Sequence, residues 1–170
     1  MAPQFTLGIS VHTGWGACVV VAGSLPRPQV IASEIVELLA KPERFCFHVA
    51  AEMRLEAAER WLARVRARAL GNARRGLAPL MARVSACAIV AKDGEAGSLA
   101  TALASHPRIH TAEGCFYRDV FREACAVAVR IVPPASLDAS KVGKLAPPPW
   151  GRDQKLATLA ACAAWAEHVP

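Results

Sequence analysis

Apolar residues form short runs over the first forty positions, with glycine- and proline-containing segments at 12–16 and 23–28 between them. Three of these runs are rich in β-branched residues, namely Phe5–Val11, Ala17–Ala22 and Gln29–Leu39. Such runs between turn residues are typical of strands joined by tight connections. The pattern therefore predicts that the chain opens with three antiparallel strands.

From Glu52 the apolar spacing changes to steps of three and four, which predicts one long helix that ends or kinks at Gly76 or Pro79. The next predicted element is a buried strand, Val84–Ala91. The elements predicted after it, in chain order, are a short helix Ser98–Ser105 that stops before Pro107, a helix capped by Thr111 and running to Ala126, a strand Val129–Val132, a loop Asp138–Trp150 and a last helix Arg152–Glu167. Phe45–Ala50 has no clear type.

The predicted order is β-β-β-α-β-α-β-α, with no internal repeat and no composition change that would mark a boundary. Three strands followed by alternating helices and strands predict an α/β fold with a mixed sheet and helices on its faces. We therefore expect a single domain over residues 1–170.

Composition narrows the class of protein. The chain has 170 residues, of which 54% are hydrophobic and 20% charged, so a disordered chain is excluded. No apolar run approaches the length of a membrane span, and the N-terminus does not have the pattern of a secretory signal. The net charge of +6 is compatible with a nucleic-acid partner.

The six cysteines include no CxxC pair, and most lie in apolar surroundings, so we interpret them as small buried hydrophobes in a reducing cytoplasm. The chain also lacks the Walker A, GxGxxG and HExxH patterns. These absences disfavour a P-loop nucleotide hydrolase, a dinucleotide enzyme and a zinc peptidase of the HExxH type.

Two segments resemble a known family. The stretch Leu7-Gly8-Ile9-Ser10 precedes a glycine-rich turn and a second strand, and Asp153 begins an Ala- and Leu-rich run that continues to Ala161. Together with the element order, these segments resemble the ribonuclease-H-like fold, and within it the RuvC-type Holliday-junction resolvases and their relatives. The resemblance implies metal-dependent phosphodiester hydrolysis at acids on the first strand, the fourth strand and the last helix, with Mg²⁺ or Mn²⁺ as the cofactor.

Carried over to this chain, the resemblance makes Asp93 the fourth-strand acid and Asp153 the last-helix acid, and both are candidate metal ligands. Ser10 stands where the family has the first-strand aspartate. A neutral hydroxyl is a poor ligand for Mg²⁺, so we expect a degenerate acidic site with impaired nuclease chemistry and weak metal binding.

Other residues carry candidate chemistry of their own. Ser10 and His12 share one face of the first strand and could form a nucleophile and base, although a turn without function explains them as well. Glu113, Arg118 and Asp119 lie on one predicted helix and could receive a phosphate or carboxylate, or could form structural ion pairs.

A basic cluster around the Pro-rich loop and the start of the last helix could contact a phosphate backbone or could simply be solvated; its members are Lys141, Lys144, Arg152 and Lys155. Three hypotheses for function follow. The first is a nucleic-acid-binding domain or a divergent nuclease. The second is a small-anion-binding or structural domain, homodimeric, with a pocket at His12, Glu113, Arg118 and Asp119. The third is a nucleotide-binding domain like the actin-like relatives of this fold, which the chain length and Ser10 disfavour.

Overall fold

The computed structural model describes residues 4–168 and contains one five-stranded sheet. Its strands are β1 (Phe5–His12), β2 (Trp15–Ala22), β3 (Gln29–Glu37), β4 (Val84–Val90) and β5 (Ala128–Val132). The spatial order is β3-β2-β1-β4-β5. The first three strands pair antiparallel, whereas β4 and β5 continue the sheet parallel to β1. The predicted α/β architecture with a mixed sheet is confirmed.

A tight hairpin joins β1 to β2. His12 pairs with Trp15, and Gly14 takes φ +84°, a conformation that favours glycine. The carbonyl of Gly14 accepts hydrogen bonds from the amides of Leu38 and Leu39, at 2.8 and 3.2 Å, which ties the hairpin to the end of β3. The hairpin thereby fixes the end of β1 that carries Ser10 and His12.

The helices cover both faces of the sheet. They are α1 (Cys46–Ala51), α2 (Leu55–Leu77), α3 (Leu99–Ala102), α4 (His106–Ala124) and α5 (Arg152–His168). The main core lies between α1, α2 and α4 and the face of β1 that carries Leu7 and Ile9. On the opposite face, small residues of α5 such as Ala157 and Ala160 pack on β1, β2 and β4. Within residues 4–168, no helix has the length and apolarity needed to span a bilayer.

The α5 helix lies unusually close to β1. A Cβ atom built on Gly8 would lie 1.7 Å from the carbonyl oxygen of Ala157. On the same face of β1, Thr6 donates a hydrogen bond of 2.8 Å to the carbonyl of Ala161. Small or hydrogen-bonding residues at alternate positions of β1 therefore allow the helix backbone to approach the strand.

Three predicted helical boundaries were wrong. The fourth helix begins at His106 rather than at Thr111, and Pro107 lies inside its first turn, where a proline costs no hydrogen bond. Thr111 is consequently inside the helix and donates to the carbonyl of Pro107 at 3.1 Å instead of capping. The short helix α3 ends at Ala102, earlier than predicted. The long helix begins at Leu55 rather than at Glu52, because the chain first forms α1 and a turn.

Candidate functional site

A pocket of about 660 Å³ opens at the carboxyl ends of β1 and β4, between α4 and the first turn of α5. Its polar and charged lining includes Ser10, His12, Lys92, Asp93, Arg152 and Asp153. From β1 the chain adds β2 and β3 on one side of the sheet, and it later adds β4 and β5 on the other side of β1. The pocket therefore lies at the point where the direction of the strand order changes. Crevices at such positions are preferred ligand sites in open α/β sheets.

The pocket holds a hydrogen-bonded group formed by Ser10, His12 and Asp153. The Nε2 atom of His12 lies 2.8 Å from Oδ1 of Asp153, and the Ser10 hydroxyl donates to the same oxygen at 3.3 Å. Ser10 is buried, whereas His12 and Asp153 are partly exposed toward the pocket. The β1 strand brings Ser10 and His12 to one face, and the first turn of α5 brings Asp153 opposite them.

The geometry of this group bears on the predicted nucleophile and base. A Ser–His pair requires a hydrogen bond between the hydroxyl and the imidazole. In the described part of the chain, Ser10 and His12 are instead both hydrogen-bonded to Asp153, and no hydrogen bond joins their two side chains. The ring of Trp15 stacks on His12, with centroids 4.3 Å apart and planes 9° apart, which holds the imidazole in its orientation toward Asp153.

Asp93 lines the same pocket as Asp153, as the resemblance implied. It follows β4 directly, is exposed, and its Oδ1 accepts a 3.0 Å hydrogen bond from the amide of Gly94. The structure therefore brings Ser10, His12, Asp93 and Asp153 to one cavity.

Glu113 lies elsewhere. Its side chain is 2% exposed, and its Oε1 accepts hydrogen bonds from the amide of Phe47 at 3.2 Å and from Nδ1 of His48 at 3.0 Å. We predicted Glu113 in the first turn of its helix, but because α4 begins at His106, this residue lies in the third turn and faces α1.

Arg118 and Asp119 form a structural pair. The buried guanidinium of Arg118 donates to the carbonyls of Lys92 at 3.1 Å and Gly94 at 2.8 Å, and to Oδ1 of Asp119 at 2.9 Å. The hydrogen bond to Asp119 raises the pKa of Arg118. Since these donors are already used by the protein, Arg118 positions the loop that carries Asp93 rather than receiving an anion. His12, Glu113, Arg118 and Asp119 do not line one cavity, so the predicted small-anion pocket was wrong.

Most of the predicted basic cluster lies beside the pocket, and only Arg152 of its four members belongs to the pocket lining. Lys144 is exposed in the loop before α5, and Lys155 is half-buried one turn into that helix. Trp150 donates from Nε1 to the carbonyl of Gly143 at 2.9 Å, which closes the loop on itself. Of the basic residues near this loop, Arg152 is the one that reaches the pocket.

Comparisons with known proteins identify the fold. No protein-family model matches the chain, and no curated protein matches its sequence. The structure of Thermus thermophilus RuvC in complex with a Holliday-junction substrate is 14% identical and matches with a TM-score of 0.53, over 98% of this chain and 96% of that one. A second T. thermophilus RuvC structure is 15% identical, with a TM-score of 0.48 over 96% of both chains.

This chain has a ribonuclease-H-like fold.

Hard divalent cations, which the resemblance implied, prefer several oxygen ligands. Within residues 4–168, the pocket does not bring three histidine, cysteine or carboxylate ligand atoms within 4.8 Å of one another, and Ser10 supplies a hydroxyl in place of a carboxylate. The donor set therefore does not fit a pair of cations held by a bridging carboxylate.

Two features of the site escaped the sequence analysis. Lys92 lines the pocket directly before Asp93, where the strand-end pattern already pointed. His110 also lines it, but the predicted helix began after this residue, so its placement on a helix facing the pocket was hidden.

Proposed function

We propose that this chain is a nucleic-acid-binding domain of the ribonuclease-H-like fold that contacts the phosphate backbone at the pocket between β1, β4 and α5. The main observation in support is that the pocket is lined by basic and imidazole side chains together with the two carboxylates, namely His12, Lys92, Arg152, Asp93 and Asp153. Two cationic side chains and an imidazole are suited to phosphate oxygens. The net charge of +6 and the neighbouring Lys144 and Lys155 support a wider backbone contact.

The same proposal includes impaired cleavage. Two-metal hydrolysis places one cation on the attacking water and another on the leaving oxygen, and a shared carboxylate holds both. Here Ser10 is neutral, and Oδ1 of Asp153 already accepts from Ser10 and His12. Asp93 and Asp153 together could hold one Mg²⁺ or Mn²⁺ weakly. Within the pocket, His12 and Ser10 orient Asp153.

The decisive experiment is fluorescence polarisation with a labelled four-way DNA junction and a linear duplex of the same sequence. We expect salt-dependent binding that weakens steeply between about 50 and about 200 mM salt, because phosphate contacts release counterions. Arg152→Gln should weaken binding by about fivefold and reduce the salt slope by about 1. The matched control is Arg27→Gln, since Arg27 is exposed in the β2–β3 turn at the opposite end of the sheet.

Two results would overturn the proposal. Equal affinities for Arg152→Gln and Arg27→Gln would remove the pocket from the binding surface. Cleavage of either DNA by the wild-type protein in Mg²⁺ or Mn²⁺, lost in Asp153→Asn, would show an active nuclease. The homodimer and the cytoplasmic location stay predictions. The mass in solution, measured by light scattering, would test the homodimer.

A further inference from the structure

Three histidines from two helices meet beside the pocket. His48 lies on α1, and His106 and His110 lie on α4. One ring nitrogen of each lies within 4.8 Å of the others, and no other group of three or more potential ligands reaches this spacing within residues 4–168. The ring centroids are 4.4 to 5.3 Å apart. We call His48, His106 and His110 the histidine cluster.

The α4 helix aligns two members of the cluster. His106 and His110 are four residues apart, so both project from one face of the helix. Both side chains are exposed, so their rings can turn without any rearrangement of the core. The same spacing of two histidines on a helix allows a metal ion to be chelated by both imidazoles.

His48 is held by a buried carboxylate. Its Nδ1 donates a 3.0 Å hydrogen bond to Oε1 of Glu113, which is 2% exposed and also accepts from the amide of Phe47. With Nδ1 protonated, the lone pair of the neutral imidazole is on Nε2. A carboxylate behind a histidine is the usual support of a metal-binding imidazole, because it fixes the tautomer and increases the basicity of the ligand.

We propose that the histidine cluster binds one divalent transition-metal ion, with Zn²⁺ as the best match. Three neutral imidazoles suit Zn²⁺ and neighbouring transition metals, whereas Mg²⁺ and Mn²⁺ prefer oxygen. Zn–N bonds of about 2.0 Å place tetrahedral ligand nitrogens about 3.3 Å apart. Rotation of the two exposed rings closes the remaining distance. Three protein ligands leave a fourth position for water or an exchangeable ligand.

The cluster is distinct from the carboxylate pair but adjoins it, because His110 also lines the pocket with Asp93 and Asp153. Edge-to-face ring packing would by itself hold three imidazoles together without any ion. The two explanations differ in what Zn²⁺ does to the protein.

Calorimetric titration of EDTA-treated protein with ZnCl₂ tests the site. We expect one equivalent of Zn²⁺ to bind and the midpoint of thermal unfolding to rise, and we expect MgCl₂ neither to displace the bound Zn²⁺ nor to match its stabilisation. His106→Ala and His110→Ala should each lower Zn²⁺ affinity by more than tenfold, and Glu113→Gln by about tenfold. The matched control is His12→Ala, which removes a pocket histidine outside the cluster and should leave the affinity unchanged.

Titration with Co²⁺ separates imidazole from thiolate ligands, because cysteine ligation adds intense charge-transfer absorption that a three-histidine site does not show. The proposal is overturned if Zn²⁺ does not bind, if His106→Ala and His110→Ala bind it as wild type does, or if the Co²⁺ spectrum shows thiolate ligation. Circular dichroism of the variants guards against unfolding. The DNA-binding experiment with Arg152→Gln uses no transition metal, so the failure of either proposal is visible separately.

Discussion

The Nε2 atom of His12 lies 2.8 Å from Oδ1 of Asp153, and the two residues are separated by 141 positions in the chain. The contact joins the end of β1 to the first turn of α5 at the pocket. It gives the Asp153 carboxylate a fixed hydrogen-bond partner, and it explains why the predicted Ser–His pair is not formed. Asp153 therefore places a negative charge at a fixed position in the pocket.

If the pocket receives phosphate, Asp153→Asn should increase DNA affinity in the absence of divalent metal, by about threefold to tenfold, because a carboxylate that repels phosphate becomes neutral. Polarisation in EDTA measures the change. Glu34→Gln is the control, since it removes the same charge from an exposed position on the edge strand β3. Weaker binding by Asp153→Asn would contradict the prediction.

Ser10→Asp places a second carboxylate beside Asp153 at a position that is 4% exposed. Without metal, we expect a loss of about 3 kcal/mol of unfolding free energy, because the new carboxylate would be buried and would face the like charge of Asp153. Mn²⁺ should recover part of the loss by binding between them. Ser10→Asn introduces a side chain of the size of aspartate but without its charge, so this variant should lose less stability and should not respond to Mn²⁺. Urea unfolding with and without Mn²⁺ decides, and identical behaviour of the two variants would refute the expectation.

Gly8→Ala should destabilise the protein by about 3 kcal/mol or more, because the new methyl group would meet the Ala157 carbonyl at 1.7 Å. The α5 helix must then move away from the sheet. Gly143→Ala provides the comparison, since a Cβ atom there has no neighbour within 4 Å, and its effect should stay below about 0.5 kcal/mol. Chemical denaturation of both variants gives the difference, and equal stabilities would show that the close contact is absent.

Stability should fall in alkaline solution. Burial against the sheet raises the pKa of the Cys162 thiol from 9.0 to about 11. The unfolded chain then ionises before the folded protein does, so the contribution is complete below pH 9 and is lost as the pH rises toward about 11. Urea unfolding at several pH values should show a loss of roughly 1 kcal/mol per pH unit from this group. Cys162→Ala should show a shallower loss, and an unchanged slope would contradict the assignment.

The sheet was predictable because its strands carry strong local signals. All five were predicted within a few residues, since β-branched runs and glycine turns act over short distances. The start of α4 was not predicted correctly, because Pro107 was interpreted as a helix stop although a proline is accommodated in the first turn. The α1 helix was not predicted either, because it is too short to show a helical period.

The same distinction applies to the site. Asp93 and Asp153 were assigned to one site by the resemblance to the RuvC-type resolvases, not by a local pattern, and the structure places both in the lining of one pocket. Glu113 was misassigned because its surroundings depend on how α1 packs against α4, which no local pattern shows. The histidine cluster was missed for the same reason, since His48 meets its partners through that packing.

The close packing of α5 on β1 has a consequence for how the chain tolerates insertions. Thr6, Gly8 and Ser10 face Ala161, Ala157 and Asp153 in turn, so every second residue of the strand meets every fourth residue of the helix. Two strand residues advance about 6.6 Å and four helix residues about 6.0 Å, and the two repeats therefore stay in step over the length of the contact. An extra residue within 154–156 would rotate Asp153 by about 100° relative to the packed part of the helix and turn it away from Ser10 and His12. Extra residues in the exposed loop at 143–149 leave that alignment intact, so length variation is compatible with the site before the helix begins and incompatible once it has begun.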